Sequence, residues 1–518
     1  MKVINRIKLK NYKRFSSFDT RLNDKLNIFI GDNESGKSTI LEAIDLVLSG
    51  SRSKIESLGI SSLLNTEGIE SFFENGKNYA ELPKLYIELY LNECHNPDLN
   101  GDNNSEGITC DGLYLLCEPN EEFSANIRDV LDQEGKNFPF EFYTIVLKTF
   151  SDRSYSGYNK YFNHIFLDNT QINNKYATRN YIKTLFHSKS EIPDRIILEN
   201  KYRKIKNDFK TDSLNEFNED LSYQFALKSN SKSNLETDLT ITEENVEIEY
   251  RGKGRQCFIK TDFVLERNET ELETVLLEEP ENHLSHAFMI QLIERIKGND
   301  QKQLLIATHS NMITTRLGLR GCIMLNSAGI ESVRLDQIEE STANFFMKAP
   351  DNNVLQFIMS KKVILVEGDA EYILMEAFYK KEVDDELAKS GIHVIAVGGK
   401  TFKRYLELAG QLGIKVAVVT DNDHSYKKNI TDNYADYVND NWKIFGDTNE
   451  EQYTFEVSLY NANQDICEEL FSKGRRSLTV LEYMLQNKAE CAFKLLEEKG
   501  DETVSPEYIK EAIAWIND

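Results

Sequence analysis

The stretch Gly31-Asp32-Asn33-Glu34-Ser35-Gly36-Lys37-Ser38 constrains the fold of this chain more than any other. It fits the pattern G-x-x-x-x-G-K-[ST]. In that pattern glycines let backbone N–H groups approach phosphate oxygens, a lysine reaches the β- and γ-phosphates, and a hydroxyl ligates Mg²⁺. The apolar run Leu26-Asn27-Ile28-Phe29-Ile30 just before it reads as a buried strand. After it, Ile40, Leu41, Ile44, Val47 and Leu48 recur at helical spacing, so a helix N-terminus points at the phosphates. A strand, a phosphate loop and a helix in that order imply an α/β domain that binds a nucleoside triphosphate, with ATP expected. Asn33, Gly36, Lys37, Ser38 and Thr39 are the residues expected to hold it.

Two later segments extend this reading. Thr274-Val275-Leu276-Leu277-Glu278-Glu279-Pro280-Glu281 is an apolar strand ending in paired carboxylates. At such a strand end one carboxylate, Glu278, holds Mg²⁺ through water, and its neighbour, Glu279, polarises the attacking water. Leu304-Leu305-Ile306-Ala307-Thr308-His309-Ser310 is another buried strand, and His309 at its end is placed to contact a γ-phosphate. A strand-end histidine taken alone is more often structural; here it comes with the other parts.

Together these segments resemble the ABC-type ATPase heads of the RecF, SMC and Rad50 group, over about residues 1–340. The chain departs from that family twice. The family's first carboxylate is usually Asp, and here it is Glu278. Its signature loop, which caps ATP from a partner subunit, would be Gly252-Lys253-Gly254-Arg255-Gln256, with Lys253 in place of the usual Ser. Both departures bear on hydrolysis and on the geometry of an ATP sandwich, and neither bears on binding.

The 518 residues allow two or three domains, at roughly 100–200 residues each. Residues 1–154 read as strands with a few helices: an opening strand around Val3, Ile4, Ile7 and Leu9, and a half-exposed one at Leu85–Leu91. The Asn-, Asp- and Gly-rich stretch 95–112 reads as a surface loop. Residues 155–235 turn polar and helical and read as an insertion, with Lys228 to Asn234 as a flexible exit. Short apolar strands return between 245 and 335, within a second head segment expected over 236–345, and a break at Pro350-Asp351-Asn352-Asn353 comes before the strands and helices of a last domain, 346–518.

In that last domain Val363-Ile364-Leu365-Val366 is a buried strand ending at Glu367, followed by a turn and a helix over Tyr372 to Tyr379, with Glu371 one helical turn on from Glu367. A second strand, His393 to Val397, leads to Gly398-Gly399-Lys400. A third, Val416 to Val419, ends in Thr420-Asp421-Asn422-Asp423. Carboxylates at neighbouring ends of a parallel sheet converge in the crevice where such folds bind ligands. Oxygen donors of this number suit Mg²⁺ or Mn²⁺ rather than zinc. A D-x-D alone is as readily an exposed turn; its pairing with E-G-x-x-E on a second strand end weighs against that.

This pattern resembles the Toprim domain of topoisomerases, primases and certain nucleases. An ABC-type head followed by Toprim resembles the OLD (overcoming lysogenization defect) family of ATP-dependent nucleases over nearly the whole chain. Gly398-Gly399-Lys400-Thr401-Phe402, Leu412-Gly413-Ile414 and Thr420-Asp421-Asn422-Asp423 are most similar to the nuclease subunit of Gabija-type antiphage systems. The resemblance implies a late Glu, for which Glu456 fits, and a late Lys, for which Lys488 fits with Lys494 as competitor. It implies phosphodiester cleavage by two cations about 4 Å apart. Glu367, Asp421 and Asp423 would hold the metals, Glu371 and Glu456 would complete the shells, and Lys488 would neutralise the scissile phosphate. It further implies a dimerisation role for the insertion, a homo-oligomer (dimer or tetramer), antiphage defence, and a partner protein encoded nearby, helicase-like or another defence component.

Charge bears on the substrate. A net charge of −24 argues against a broad phosphate-binding surface, because nonspecific DNA affinity comes from Lys and Arg displacing counterions. It leaves DNA open as a substrate held through cations and local basic stretches. Arg179 to Lys210 carries nine Lys and Arg, and Lys473, Arg475 and Arg476 form a smaller group; both read equally well as solvated helix faces. The N-terminus lacks a signal-peptide apolar region and no run reaches membrane length, which predicts a cytoplasmic protein without a membrane partner. Seven scattered cysteines without a C-x-x-C pair predict reduced, mostly packed thiols. Two other functions compete with the nuclease. A nucleotide-switched sensor or scaffold with an inactive Toprim module would have no need to crowd carboxylates. A topoisomerase would need a nucleophilic tyrosine on a large basic DNA-gripping domain.

Overall fold

The computed structural model describes residues 2–171, 175–219, 223–228, 234–265, 272–299, 301–325, 332–349, 353–399, 401–437, 439–472 and 478–518. The break expected at Pro350, Asp351 and Asn352, the lysine Lys400, the basic group Lys473, Arg475 and Arg476, and most of the exit 228–234 lie outside those residues. The chain forms two compact units, Met1–Leu317 with Gly321–Arg334, and Gly318–Arg320 with Leu335–Asp518. The second unit thus takes up the whole helix Glu340–Lys348, which the boundary read from the sequence, between 345 and 346, would divide.

Among the described residues the first unit holds two six-stranded sheets packed on one helix, and a two-stranded hairpin, Thr242–Glu243 with Val246–Glu247. In the antiparallel sheet the strands run in the order Phe15–Arg21, Ile4–Tyr12, Leu85–Leu91, Cys110–Pro119, and Tyr143–Thr149 also pairs with Cys110–Pro119. The other sheet has the order Ser332–Arg334, Cys322–Leu325, Leu26–Ile30, Gln303–Ala307, Thr274–Glu278, His164–Asp168, parallel except for its first pair. Every residue of Thr274–Glu278 and Gln303–Ala307 is buried, as expected of parallel strands covered on both faces.

The helix Lys37–Ser49 lies in the core that joins the sheets. Its Ile40, Leu41, Ile44 and Val47 pack with Ile7, Leu9, Ile87 and Leu115 of one sheet and Phe29, Leu276 and Leu305 of the other. At roughly 1.5–3 kcal/mol for each fully buried aliphatic side chain, this packing holds the phosphate loop rigidly at its place. Burial on so many sides also takes in Asp45, which is satisfied by His164 Nε2 at 2.8 Å and by the Lys54 ammonium.

Two local expectations change. Leu85–Leu91 is buried on both faces rather than half-exposed, because the loop after it folds back over the sheet: Ser105 donates its N–H and hydroxyl to buried Glu88, each at 2.7 Å. The segment 155–235 contains the strand His164–Asp168, which pairs in parallel with Thr274–Glu278. The helices Lys175–Ser188, Ile192–Phe209 and Asn215–Asn218 follow only after that strand.

The second unit is a four-stranded parallel sheet in the order Ile392–Ala396, Lys362–Val366, Lys415–Val419, Trp442–Phe445. Its last strand is a short Trp-Lys-Ile-Phe run that sequence reading left unassigned. Ile364, Val366, Ala417 and Val419 pack with Leu374 and Phe378 of the helix Asp369–Val383, Leu495 of Lys488–Lys499 and Ile513 of Glu507–Asn517. Among the described residues no helix is long and apolar enough to cross a membrane, and all seven cysteines are free thiols, five of them buried.

Candidate functional site

The phosphate loop joins Leu26–Ile30 to the helix Lys37–Ser49. Gly36 sits at φ 97°, in the left-handed region, and a Cβ there would lie 2.4 Å from the Phe15 ring. No side chain caps this helix, so the N–H groups of its first turn are available to an anion, and the helix dipole favours negative charge there. Lys37 is buried; its Nζ donates to the carbonyls of Gly31 at 2.8 Å and Asp32 at 2.9 Å. Burial lowers its pKa to about 8, against the pull of Glu279 and Asp32.

A pocket of about 580 Å³ opens over the loop, lined by Asn33, Glu34, Gly36, Lys37, Ser38 and Thr39, by Glu279 and His309, and by Lys13 and Arg14. Glu278 and Ala307 are opposite one another on adjacent strands, which puts Glu279 and His309 at the same sheet edge. Glu279 Oε1 lies 3.8 Å from His309 Nε2. Burial raises the pKa of Glu278 despite a hydrogen bond to Ser38, and the charges of Asp168 and Glu279 add to the rise. Burial lowers the pKa of His309, and the charge of Lys37 adds to that. Glu281 Oε1 accepts the Thr308 hydroxyl at 2.5 Å and the His309 N–H at 3.0 Å, which fixes the strand end carrying the histidine. Lys253 to Gln256, read as a loop, form the first turn of the helix Lys253–Leu265.

In the second unit Glu367 directly follows Lys362–Val366, and Asp421 lies two residues past Lys415–Val419. These strands are parallel neighbours, so both carboxylates come to one sheet edge. The Thr420 hydroxyl lies 3.5 Å from Glu367 Oε2. Glu371 and Glu456 sit in the first turns of Asp369–Val383 and Phe455–Ala462, and both are buried. Lys488, first residue of Lys488–Lys499, places Nζ 2.9 Å from Glu456 Oε2. Lys494 instead pairs with Glu498 at 3.7 Å, away from this cluster.

Burial raises the pKa of Glu371 to about 7, and the charges of Asp421, Glu456 and Glu367 push it the same way. Burial also raises Asp421 to about 7, with Glu367 and Glu456 adding, while Lys488 and the Phe455 N–H, 2.8 Å from Asp421 Oδ1, oppose. The structure therefore brings Glu367, Glu371, Asp421, Glu456 and Lys488 together. Asp423 is exposed, its N–H bonded to the Tyr453 carbonyl at 3.1 Å.

Among the described residues no group of three or more His, Cys, Asp or Glu side chains forms a ready cation cage. The donor chemistry nonetheless suits a hard divalent cation: the donors are all oxygen, Glu371 and Glu456 are buried with Glu367 and Asp421 half-buried, and they are crowded enough that a cation would restore the charges the crowding suppresses. Sequence reading did not single out Lys13, Arg14, Asp168, Glu281 or Tyr508. Tyr508 is a buried phenol raised well above its ordinary range by burial and by the charges of Asp421, Glu371, Asp447 and Glu456. Glu281 was visible as the last residue of Glu-Glu-Pro-Glu; for the others the sequence carries no signal.

Fold and site define a phosphate-loop ATPase head followed by a Toprim-type carboxylate module. The chain belongs to the AAA ATPase domain family, whose profile covers residues 1–314, and residues 358–423 match the TOPRIM domain of overcoming lysogenization defect protein-like proteins. It is similar to Endonuclease GajA of Bacillus cereus (strain VD045), 27% identical over 185 residues, 34% of this chain and 32% of that protein. It is also similar to the Old nuclease of Escherichia phage P2, 26% identical over 160 residues, 29% of this chain and 27% of that protein. The chain thus spans about a third of the length of the curated relatives it matches. Among solved structures, the C-terminal region of the Burkholderia pseudomallei OLD protein aligns at 24% identity and TM-score 0.24, covering 31% of this chain and 98% of that one.

Proposed function

We propose that this protein is an ATP-gated, divalent-metal-dependent DNA endonuclease that acts in antiphage defence. One observation carries the reading: Glu367, Glu371, Asp421, Glu456 and Lys488 arrive from separate elements at one place, where burial and mutual repulsion hold Glu371 and Asp421 near neutral pKa. A structural module gains nothing from crowding carboxylates, whereas a cation-binding one requires it.

Glu367, Asp421 and Asp423 would hold Mg²⁺ or Mn²⁺ for a two-metal mechanism, with Glu371 and Glu456 completing the oxygen set. Bound there, the cations would supply a nucleophilic water and neutralise the leaving 3′-oxygen. Lys488 would offer its ammonium to the scissile phosphate, and the buried core behind the cluster would limit access of bulk water. In the head, Asn33, Gly36, Lys37, Ser38 and Thr39 would hold ATP. Ser38 and Glu278 would hold its Mg²⁺, Glu279 would orient water and His309 would face the γ-phosphate. The modules of this reading are an ATPase head in two segments, 1–154 and 236–345, a helical dimerisation insertion at 155–235, and a Toprim nuclease domain at 346–518.

A homo-oligomer, dimer or tetramer, is supported by the helix Ile192–Phe209, which buries none of its residues and exposes Ile192, Ile196, Ile205 and Phe209. A cytoplasmic location and a partner protein encoded nearby belong to the same reading.

The test is a supercoiled plasmid incubated with the protein and Mg²⁺ or Mn²⁺, with and without ATP, beside Glu367→Ala and Lys37→Ala. Nicked or linear product that Glu367→Ala abolishes, and whose ATP response Lys37→Ala removes, is the expected result. Intact plasmid under every condition would favour the sensor reading, and relaxed closed circles a topoisomerase.

A further inference from the structure

Between the two aspartates of Asp421-Asn422-Asp423, the middle side chain is turned inward. Asn422 is 1% exposed, while Asp423 is exposed. Its Nδ2 faces three backbone carbonyls, Asp447 at 2.8 Å, Asn449 at 3.0 Å and Gln452 at 3.3 Å. Its Oδ1 accepts the His424 N–H at 2.9 Å, and its own carbonyl accepts Asn429 Nδ2 at 2.8 Å. Carbonyls on one side and an N–H on the other settle which end of the amide is nitrogen. One side chain therefore closes the loop that runs from the strand Trp442–Phe445 to the helix Phe455–Ala462.

That loop delivers Glu456. Its far end is tied back to the aspartates: the Asp423 N–H reaches the Tyr453 carbonyl at 3.1 Å, and the Phe455 N–H reaches Asp421 Oδ1 at 2.8 Å. The Ser458 hydroxyl, one helical turn into that helix, donates to Asp447 Oδ2 at 3.0 Å. Its near end is pressed on the same strand end, since a Cβ on Gly446 would lie 2.8 Å from the Thr420 carbonyl oxygen. The spacing of Asp421 and Glu456 is thus set through the loop, and the loop is set by the Asn422 amide.

We propose that Asn422 is a positioning residue: it holds Glu456 against Asp421 and so governs how tightly the carboxylate cluster takes a divalent cation. With its amide engaged on both sides, Asn422 acts through the loop and does not itself ligate. The inference rests on the metal-binding reading of this cluster. Outer partners that orient metal-binding carboxylates typically change metal affinity by about 10–100-fold when removed.

The experiment uses the full chain without DNA or nucleotide. Mn²⁺ is titrated and followed by the electron paramagnetic resonance signal of the free ion, and amide hydrogen exchange over residues 447–455 is measured without metal. Asn422→Ala and the isosteric Asn422→Asp are compared with wild type, each also in a Glu456→Gln background; Asn422→Ser, which keeps one donor, replaces Asn422→Ala if that variant melts early. The expected result is Mn²⁺ affinity lower by about 10–100-fold, faster exchange over 447–455, and little further loss once Glu456 is Gln. Asn422→Asp is decisive, because an added carboxylate would tighten Mn²⁺ binding if charge alone mattered, and positioning requires that it weaken. Unchanged affinity, tighter binding by Asn422→Asp, or an equal loss in the Glu456→Gln background would overturn the proposal while leaving the metal reading intact. A wild-type chain that takes up no Mn²⁺ would overturn the metal reading and this proposal with it.

Discussion

The ammonium of Lys488 lies 2.9 Å from Oε2 of Glu456, joining a lysine side chain that is 51% exposed to a carboxylate that is 4% exposed. The lysine stands at the first position of its helix, where the helix dipole disfavours a cation, so its place is set by the carboxylates it faces.

Lys488→Met leaves Glu456 buried among Glu371 and Asp421 without its cation. Cleavage is expected to fall roughly 10²–10³-fold, the scale for losing one preorganised stabilising group. The folded state should lose only about 1–2 kcal/mol, because half of the lysine is already in water and solvent screens the pair. Plasmid nicking rates beside a thermal melt check both, and nicking at the wild-type rate would remove Lys488 from the site.

The pKa of Lys37, lowered by burial to about 8, implies a pH dependence of nucleotide binding. A triphosphate favours the protonated lysine, so the free protein's pKa sets where affinity is lost. Affinity should hold below pH about 8 and fall by up to about tenfold per pH unit above it. Fluorescent ATP-analogue titrations between neutral and alkaline pH would show this in wild type, and Lys37→Arg, charged throughout the range, should flatten the alkaline limb. A wild-type profile level through pH 9 would contradict it.

Gly36→Ala tests the loop itself. The residue sits at φ 97° and the added methyl would meet the Phe15 ring at 2.4 Å, so both backbone and packing oppose it. Positive φ alone costs about 1–3 kcal/mol for a residue with a side chain. ATP binding should be lost, with a lower melting temperature; binding within twofold of wild type would mean that the loop adapts freely.

The helix Ile192–Phe209 should carry a self-association surface. A double change, Ile196→Glu with Ile205→Glu, places charge at positions 60% and 64% exposed, so folding should be little affected. Sedimentation should show a smaller species than wild type, and identical sedimentation of the two would remove the helix from any interface.

Much of the local structure was legible from the sequence. Leu26-Asn27-Ile28-Phe29-Ile30 before the glycines and the apolar spacing from Ile40 to Leu48 marked strand, loop and helix, and the strand Leu26–Ile30 agrees residue for residue. Glu367 and Asp421 were legible because each ends a run of buried aliphatic residues. Less was legible where a distant segment overrides local pattern. Leu85–Leu91 alternates like a half-exposed strand, yet Ser105 and its loop cover the polar face. His164–Asp168 sits in a polar segment, and its pairing partner, Thr274–Glu278, is about a hundred residues away.

The sequence by itself determined where the phosphate loop and the strand-end acids stand, because each is written in adjacent residues whose local conformation follows from spacing and glycine content. The tertiary structure alone decided which of them meet. Parallel pairing of Lys362–Val366 with Lys415–Val419 brings Glu367 to Asp421. Burial raises Glu371 and Asp421 to near neutral pKa. A loop closed by Asn422 sets Glu456 beside them, with Lys488 on its outer side. Strand order, desolvation and loop closure join residues far apart in the chain, and their energies exist only once those residues are brought together.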